Sequence, residues 1–346
     1  MVAPPVMVSF AITRRCNLKC PHCYSESVEK PHPKELTTEE AKEVISDVAR
    51  LGTRMIIFDG GEPTLREDLP ELVKHAADEG LTPLLGSNGM KETLSRELLR
   101  ALRGAGLRAI SISLDGAKPE THDSFRGVTG AWESTLKGIE NCKEEGITFQ
   151  IGTTLHKQNF EELPEIIDLA KKLGSYAVEI FEFVEVGRGA QNKQYSLSGE
   201  QRREAVGYLI ERQLKEEELF FRLIALPQYW IEAERRIEDE EGLLKFVRTC
   251  CAAGIRYGTI LYDGTIFPCM LLPIPLGNVR EVSFSEVWRK NPLLEKLRDA
   301  ENLKGKCSRC KYREICRGAR CKALAKTGDL FAEDPDCWIE VEGAEH

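Results

Sequence analysis

Residues 7–25 read MVSFAITRRCNLKCPHCYS: an apolar run from Met7 to Ile12 leads straight into a loop carrying Cys16, Cys20 and Cys23. So short an apolar run, preceded by Pro4-Pro5, reads as a buried strand. Three thiols so close together make an incomplete tetrahedral set. Either a fourth ligand lies far along the chain or one coordination position stays open. Clustered cysteines in a reducing compartment read as metal ligands before they read as disulfides.

Working outward, the strand-like run recurs at Met55 to Phe58, Thr82 to Leu85, Ala109 to Leu114, Thr148 to Thr154 and Ala177 to Val184. Amphipathic stretches separate these runs. In LTTEEAKEVISDVARLG, Ala41, Val44, Ile45, Val48 and Leu51 share one helical face, Thr37 and Glu40 fit a capping box, and Gly52 marks the stop. Six strand-then-helix units imply an α/β fold with a parallel sheet, because parallel neighbours need a crossover and a helix is the usual one. Periodicity does not say whether the sheet stays open or curls. In either architecture the chemistry sits at the C-terminal ends of the strands, where the cysteine loop lies.

The chain of 346 residues is 42% hydrophobic and 30% charged, long enough for a sizeable core, with no apolar stretch of membrane-spanning length. No secretion signal opens it, so the cytoplasm is expected. A net charge of −8 argues against broad attraction to nucleic acid or anionic lipid. Residues 1–216 read as the α/β unit, with a helix at 198–216. Residues 217–248 read as a connection ending in a solvated charged face, and 249–346 as a small cysteine-rich domain holding eight of the twelve cysteines. Cys142 lies in a predicted helix and reads as a structural thiol.

Thiolates suit four-iron clusters, being soft and anionic, and a cluster held by three cysteines keeps one iron open. A zinc site completed by His22 or a remote residue is the competing reading. After the second run stands Gly60-Gly61-Glu62-Pro63. Two glycines let the backbone approach a ligand closely, and a carboxylate can take an ammonium group.

The C-x3-C-x2-C spacing followed by GGEP resembles the radical S-adenosylmethionine (SAM) enzymes. The resemblance implies a partial (β/α)6 TIM-like barrel over residues 1–216. It also implies that Cys16, Cys20 and Cys23 hold a [4Fe-4S] cluster whose open iron is chelated by SAM. Electron transfer to SAM then gives methionine and a 5′-deoxyadenosyl radical. Gly60, Gly61 and Glu62 would hold the SAM amino group, and Asn88 and Ser113 would be further cofactor contacts; Thr153, read as inward-facing, is either a core residue or a cofactor contact. In DGAKPETHDSFRG, Asp115, His122 and Arg126 either approach the site or form a capped helix and loop salt bridge.

The pattern Cys251-x12-Gly264-x4-Cys269, Cys307-x2-Cys310-x5-Cys316-x4-Cys321 and Cys337 resembles the SPASM extension of that family, with one residue more than usual between Cys316 and Cys321. By this resemblance Cys251, Cys269 and Cys321 would hold a first auxiliary [4Fe-4S] cluster, and Cys307, Cys310, Cys316 and Cys337 a second, for three clusters in all. Cys250 would complete the first by proximity, but adjacent side chains diverge in extended chain, so an open iron facing the substrate is the alternative. A pair of zinc knuckles is the bland reading of the region.

Auxiliary clusters suggest a net oxidation after hydrogen abstraction, such as cross-linking, decarboxylation or desaturation, with a low-potential donor such as ferredoxin or flavodoxin supplying electrons. The substrate is either a tetrapyrrole side chain in cofactor maturation or a peptide. Only fifteen residues precede Cys16, and CRGARCKALAKTGDLFAEDPDC resembles the tetrapyrrole group, so the first is expected. Arg126 and Arg188 are candidates to meet substrate carboxylates. An iron–sulfur electron carrier without SAM chemistry is the reading from a different class. It leaves GGEP unexplained.

Overall fold

The computed structural model describes residues 2–246 and 250–341. Six units alternate as expected: β1 (Met7–Thr13), α1 (Thr38–Arg50), β2 (Met55–Gly60), α2 (Leu69–Asp78), β3 (Thr82–Ser87), α3 (Arg96–Gly104), β4 (Ala109–Ser113), α4 (Pro119–Arg126), α5 (Ala131–Glu144), β5 (Phe149–Leu155), α6 (Leu163–Leu173), β6 (Ala177–Glu182) and α7 (Gly199–Lys215). The capping box of α1 is formed, with Thr37 accepting from the Glu40 amide and Glu40 from the Thr37 amide.

A seventh strand, β7 (Phe220–Ile224), pairs in parallel with β6, and α8 (Gln228–Arg236) buries Tyr229 and Ile231. The segment read as a connection therefore extends the sheet. Its strand has only five residues, buried Phe221 and Leu223 alternating with exposed Phe220 and half-buried Arg222 and Ile224, a short and poorly punctuated pattern. The boundary expected at 248 and 249 lies outside the described residues.

The C-terminal part continues the same sheet. After the short helix α9 (Glu240–Leu244), β8 (Tyr257–Ile260) pairs in parallel with β1, then β9 (Thr265–Phe267) and β10 (Gly277–Asn278) follow antiparallel. The order is β10-β9-β8-β1-β2-β3-β4-β5-β6-β7, an open sheet whose two edge strands do not meet. Five short helices complete the described chain: α10 (Phe284–Lys290), α11 (Pro292–Arg298), α12 (Gly305–Arg309), α13 (Arg313–Cys316) and α14 (Arg320–Thr327).

Strand alternation sorts the two faces. Val8, Phe10, Ile12, Ile56, Phe58, Ile112, Ile151 and Ile180 join α1 residues Val44, Ile45 and Val48 in one buried core, so this face lies against the helices. The opposite, inner face carries half-buried Ile57, Ser111, Ser113, Thr154 and Phe181. Thr153 sits opposite Ile180 on the helix-facing row and is fully buried. The expectation that it points inward is one residue out of phase, and Thr154 is the inward neighbour.

Candidate active site

The loop after β1 is built by long-range hydrogen bonds. The Cys16 amide donates to the Val28 carbonyl at 2.8 Å, and Glu35 Oε1 gathers the Thr13 hydroxyl and the amides of Arg14 and His32. Arg188, from the segment after β6, donates through Nε to the Cys20 carbonyl at 2.8 Å and through Nη1 to the Ser27 carbonyl at 2.7 Å. Arg188 thus braces the cysteine loop and is not a spare charge at the mouth.

GGEP closes over the same loop. The Gly61 amide donates to Thr13 O and the Glu62 amide to Arg15 O at 2.8 and 2.7 Å. A Cβ on Gly61 would stand 2.1 Å from Arg15 O, and one on Gly60 2.6 Å from Thr13 O. The glycines are needed because the chain's own backbone comes this close. Glu62 is fully buried and accepts from the Asn88 amide, the Ser87 hydroxyl and the Thr64 hydroxyl at 2.7, 3.0 and 2.7 Å. Burial nonetheless raises its pKa, and its charge in turn helps burial push Cys16 up to about 12. Asn88 Nδ2 holds Asn17 Oδ1 at 2.7 Å, tying the third strand's end to the cysteine loop, and Ser113 sits half-buried on the inner face.

Asp115, His122 and Arg126 do come together. Arg126 Nη2 lies 2.5 Å from Asp115 Oδ2 and Nη1 3.9 Å from Cys20 Sγ, while His122 Nδ1 accepts from the Asp115 amide. Burial raises the Cys20 thiol and the Arg126 charge opposes it. Burial, then Arg126, pulls His122 down to about 3, so it stays neutral. Arg126 is buried with its carboxylate, which removes it as a free mouth charge. His22 stacks on Phe125 at 3.9 Å. Burial disfavours the thiolate at Cys23, yet hydrogen bonds from Ser25 and Ser27 and the Arg188 charge bring it below the ordinary value.

The later cysteines fall into two groups. Burial first, then charge at Cys251 and Cys269, pushes Cys321 well up; Cys269 is pushed to about 12 by burial, with Cys251 adding to it. Cys307, Cys310, Cys316 and Cys337 line one cavity with Lys306, Arg313 and Gly318. Cys250 Sγ accepts from Arg256 Nη2 at 2.8 Å, and its charge adds to the upward push on the neighbouring Cys251. Among the described residues no three His, Cys, Asp or Glu side chains crowd closely enough for one metal ion. Cys142 is buried in α5, within the core.

Two features escaped sequence reading. Asp59 is buried on the inner face, bonded by the Ser9 hydroxyl at 2.7 and 3.0 Å, and burial lifts it to about 7. Tyr24 and Tyr257 feel its charge, as does Cys269, so it lies between the first loop and the C-terminal cysteines. A lone carboxylate ending the apolar run MIIFDG was the available signal. The other feature is a buried ionic joint. Lys322 Nζ meets Glu182 at 2.7 Å, with Asp336 and Asp334 at 3.7 and 3.9 Å, and Arg202 pairs with Glu182 and Asp336. It joins the end of β6 to the C-terminal segment.

The radical SAM superfamily model matches residues 10–170, and the iron-sulfur cluster-binding SPASM domain matches 250–311. The AdoMet-dependent heme synthase of Methanosarcina barkeri is 38% identical over 97% of both chains. The chain belongs to the radical SAM superfamily. This radical SAM enzyme is also 28% identical to the PqqA peptide cyclase of Granulibacter bethesdensis, over 97% of this chain and 88% of that one. Its fold matches Streptococcus suis SuiB bound to S-adenosylmethionine with a TM-score of 0.73 and 19% identity, over 97% of this chain and 78% of that one. Among the described residues no helix is long and apolar enough to cross a membrane. The donor set fits the family's cofactor: three thiols in the strand-end loop, faced by a buried carboxylate.

Proposed function

We propose that this radical SAM enzyme oxidatively modifies a propionate side chain of a tetrapyrrole in cofactor maturation, in a reducing compartment such as the cytoplasm. The observation that carries the reading is 38% identity to a heme synthase along nearly the whole of both chains, against 28% to a peptide cyclase. Cys16, Cys20 and Cys23 would hold the cluster that binds SAM, Cys251, Cys269 and Cys321 a second, and Cys307, Cys310, Cys316 and Cys337 a third. With SAM bound and an electron from a ferredoxin- or flavodoxin-like donor, the first supplies a 5′-deoxyadenosyl radical.

The chain's own residues do the rest. Glu62 would take the SAM ammonium and Asn88 and Ser113 would contact its ribose and carboxylate, while Gly60 and Gly61 keep the Glu62 carboxylate against the cysteine loop. Arg126 offsets charge at Cys20. The inner face, with Ile57, Phe181, Ser111 and Thr154, holds the side chain near the radical, where orientation supplies much of the rate. Loss of one hydrogen atom, then of carbon dioxide and one electron, converts a propionate carboxylate to a vinyl group. The electron passes to the C-terminal half.

The test is anaerobic incubation of the reconstituted protein with dithionite, SAM and either a propionate-bearing iron porphyrin or candidate precursor peptides. The reading expects 5′-deoxyadenosine with either arm's SAM, and loss from the porphyrin alone of carbon dioxide and two hydrogens per propionic acid side chain, one the abstracted atom and one the acid proton. Mass change in a peptide and none in the porphyrin would overturn it.

A further inference from the structure

Arg320 opens α14, one residue before Cys321, inside the interval that is one residue longer than usual. It is 2% exposed, and among the described residues no carboxylate lies within ion-pair distance of it. Its charge reaches Asp329 without a direct ion pair, and a buried cation so placed is unfavourable unless further groups answer it. Its Nη1 donates to the carbonyls of Leu330 and Ala332 at 3.0 and 2.5 Å, which aim the guanidinium but supply no full charge. Its Nη2 faces Cys307 Sγ at 3.9 Å, and its backbone amide donates to the Cys251 thiol. Arg320 therefore bears on one cysteine from each C-terminal group, by contact at Cys307 and by charge at Cys251.

The surroundings are shaped for this placement. Gly318 has φ of 62°, and a Cβ there would stand 2.5 Å from Arg320 Nη2 and 3.3 Å from Cys307 Sγ. Any side chain would push the guanidinium off the thiol. Nε is buried without a hydrogen-bond partner.

We propose that Arg320 is a redox-tuning residue, its charge set between the two C-terminal cysteine groups so as to stabilise an added electron on the clusters they hold. Each such cluster becomes one unit more negative on reduction, and a fixed cation in a low-dielectric interior favours the more negative state. The reduction potentials rise, which makes both groups better acceptors for the electron that a substrate radical must lose. The inference rests on the reading that these cysteines hold two clusters.

The test compares holoenzyme carrying Arg320→Met and Arg320→Lys with the wild type, by iron and sulfide content and by redox titration followed by electron paramagnetic resonance. Arg320→Met is expected to lower both C-terminal midpoint potentials and leave that of the SAM-binding cluster unchanged. Arg320→Lys keeps the charge and is expected to stay near the wild type. Unchanged potentials in fully loaded Arg320→Met would leave Arg320 a structural clamp and overturn the proposal. Should Arg320→Met load poorly, Arg320→Lys decides: near-wild-type potentials support the charge, and a clear fall in them overturns it. Wild-type iron content near four per chain would instead refute the two-cluster reading itself.

Discussion

Lys322→Met tests the joint that holds the β/α half against the cysteine-rich half. Lys322 and Glu182 are 2% and 0% exposed, and burial alone would drive the proton off the lysine. Glu182, Asp334 and Asp336 reverse that and hold it charged. Removing one member of a buried ion pair costs about 3–5 kcal/mol, because the partner is left uncompensated. Arg202 still covers Glu182 and Asp336 in the variant, so the lower end applies, about 3 kcal/mol. At roughly 2 °C per kcal/mol for a chain of this size, the melting temperature should fall by roughly 6 °C. Thermal unfolding under anaerobic conditions reads it directly. Glu182→Gln with Lys322→Met should fall by less than the sum of the two single changes, since both remove one interaction. A melting temperature for Lys322→Met equal to the wild type, or strict additivity, would refute the claim that this joint carries load.

Other consequences follow from the site. Cys250→Ala should retain the full iron content, whereas Cys251→Ala should lose about four irons per chain on analysis. Glu62→Gln should keep its iron but lose at least about tenfold in SAM affinity, since a charge-assisted bond to the ammonium is worth roughly 1.5–3 kcal/mol; equal binding by calorimetry would remove Glu62 from the SAM site. Gly61→Ala should fail to assemble the first cluster, because the added Cβ meets the Arg15 carbonyl at 2.1 Å. A normal iron count with intact 5′-deoxyadenosine formation would contradict it. Asp59 has a folded pKa raised to about 7 from 3.8, so wild-type stability falls as pH rises between those values and levels off above. Asp59→Asn removes that loss, and its gain in melting temperature over the wild type should be larger at pH 8 than at pH 5.

Much of this molecule was legible because local chemistry and tertiary context agree. The capping box at Thr37 and Glu40 and the six strands are signals within a few residues, and the structure places them where pattern reading does. Thr153 went the other way because alternation has a period of two, and one residue of phase separates a helix-facing threonine from an inward one. Strand β7 was hidden because five poorly punctuated residues carry little pattern. Arg188 drew attention only as a charge for substrate carboxylates, and nothing marked Arg320 or Lys322, since in sequence a buried cation looks like an exposed one. Their partners lie up to 168 residues away, as with Arg188 and the Cys20 carbonyl. Glu62 was recognisable by its motif, while the reason for its glycines, the backbone of the cysteine loop, emerged only with the fold.

The most direct test of the central claim is iron and sulfide analysis paired with 5′-deoxyadenosine formation, in the wild type and in a Cys16→Ala, Cys20→Ala, Cys23→Ala triple variant. The account predicts about twelve irons for the wild type and about eight for the variant, three clusters reduced to two. Only the wild type should cleave SAM. A variant that still forms 5′-deoxyadenosine, or loses all its iron, would contradict the claim that the strand-end loop holds a separate SAM-cleaving cluster.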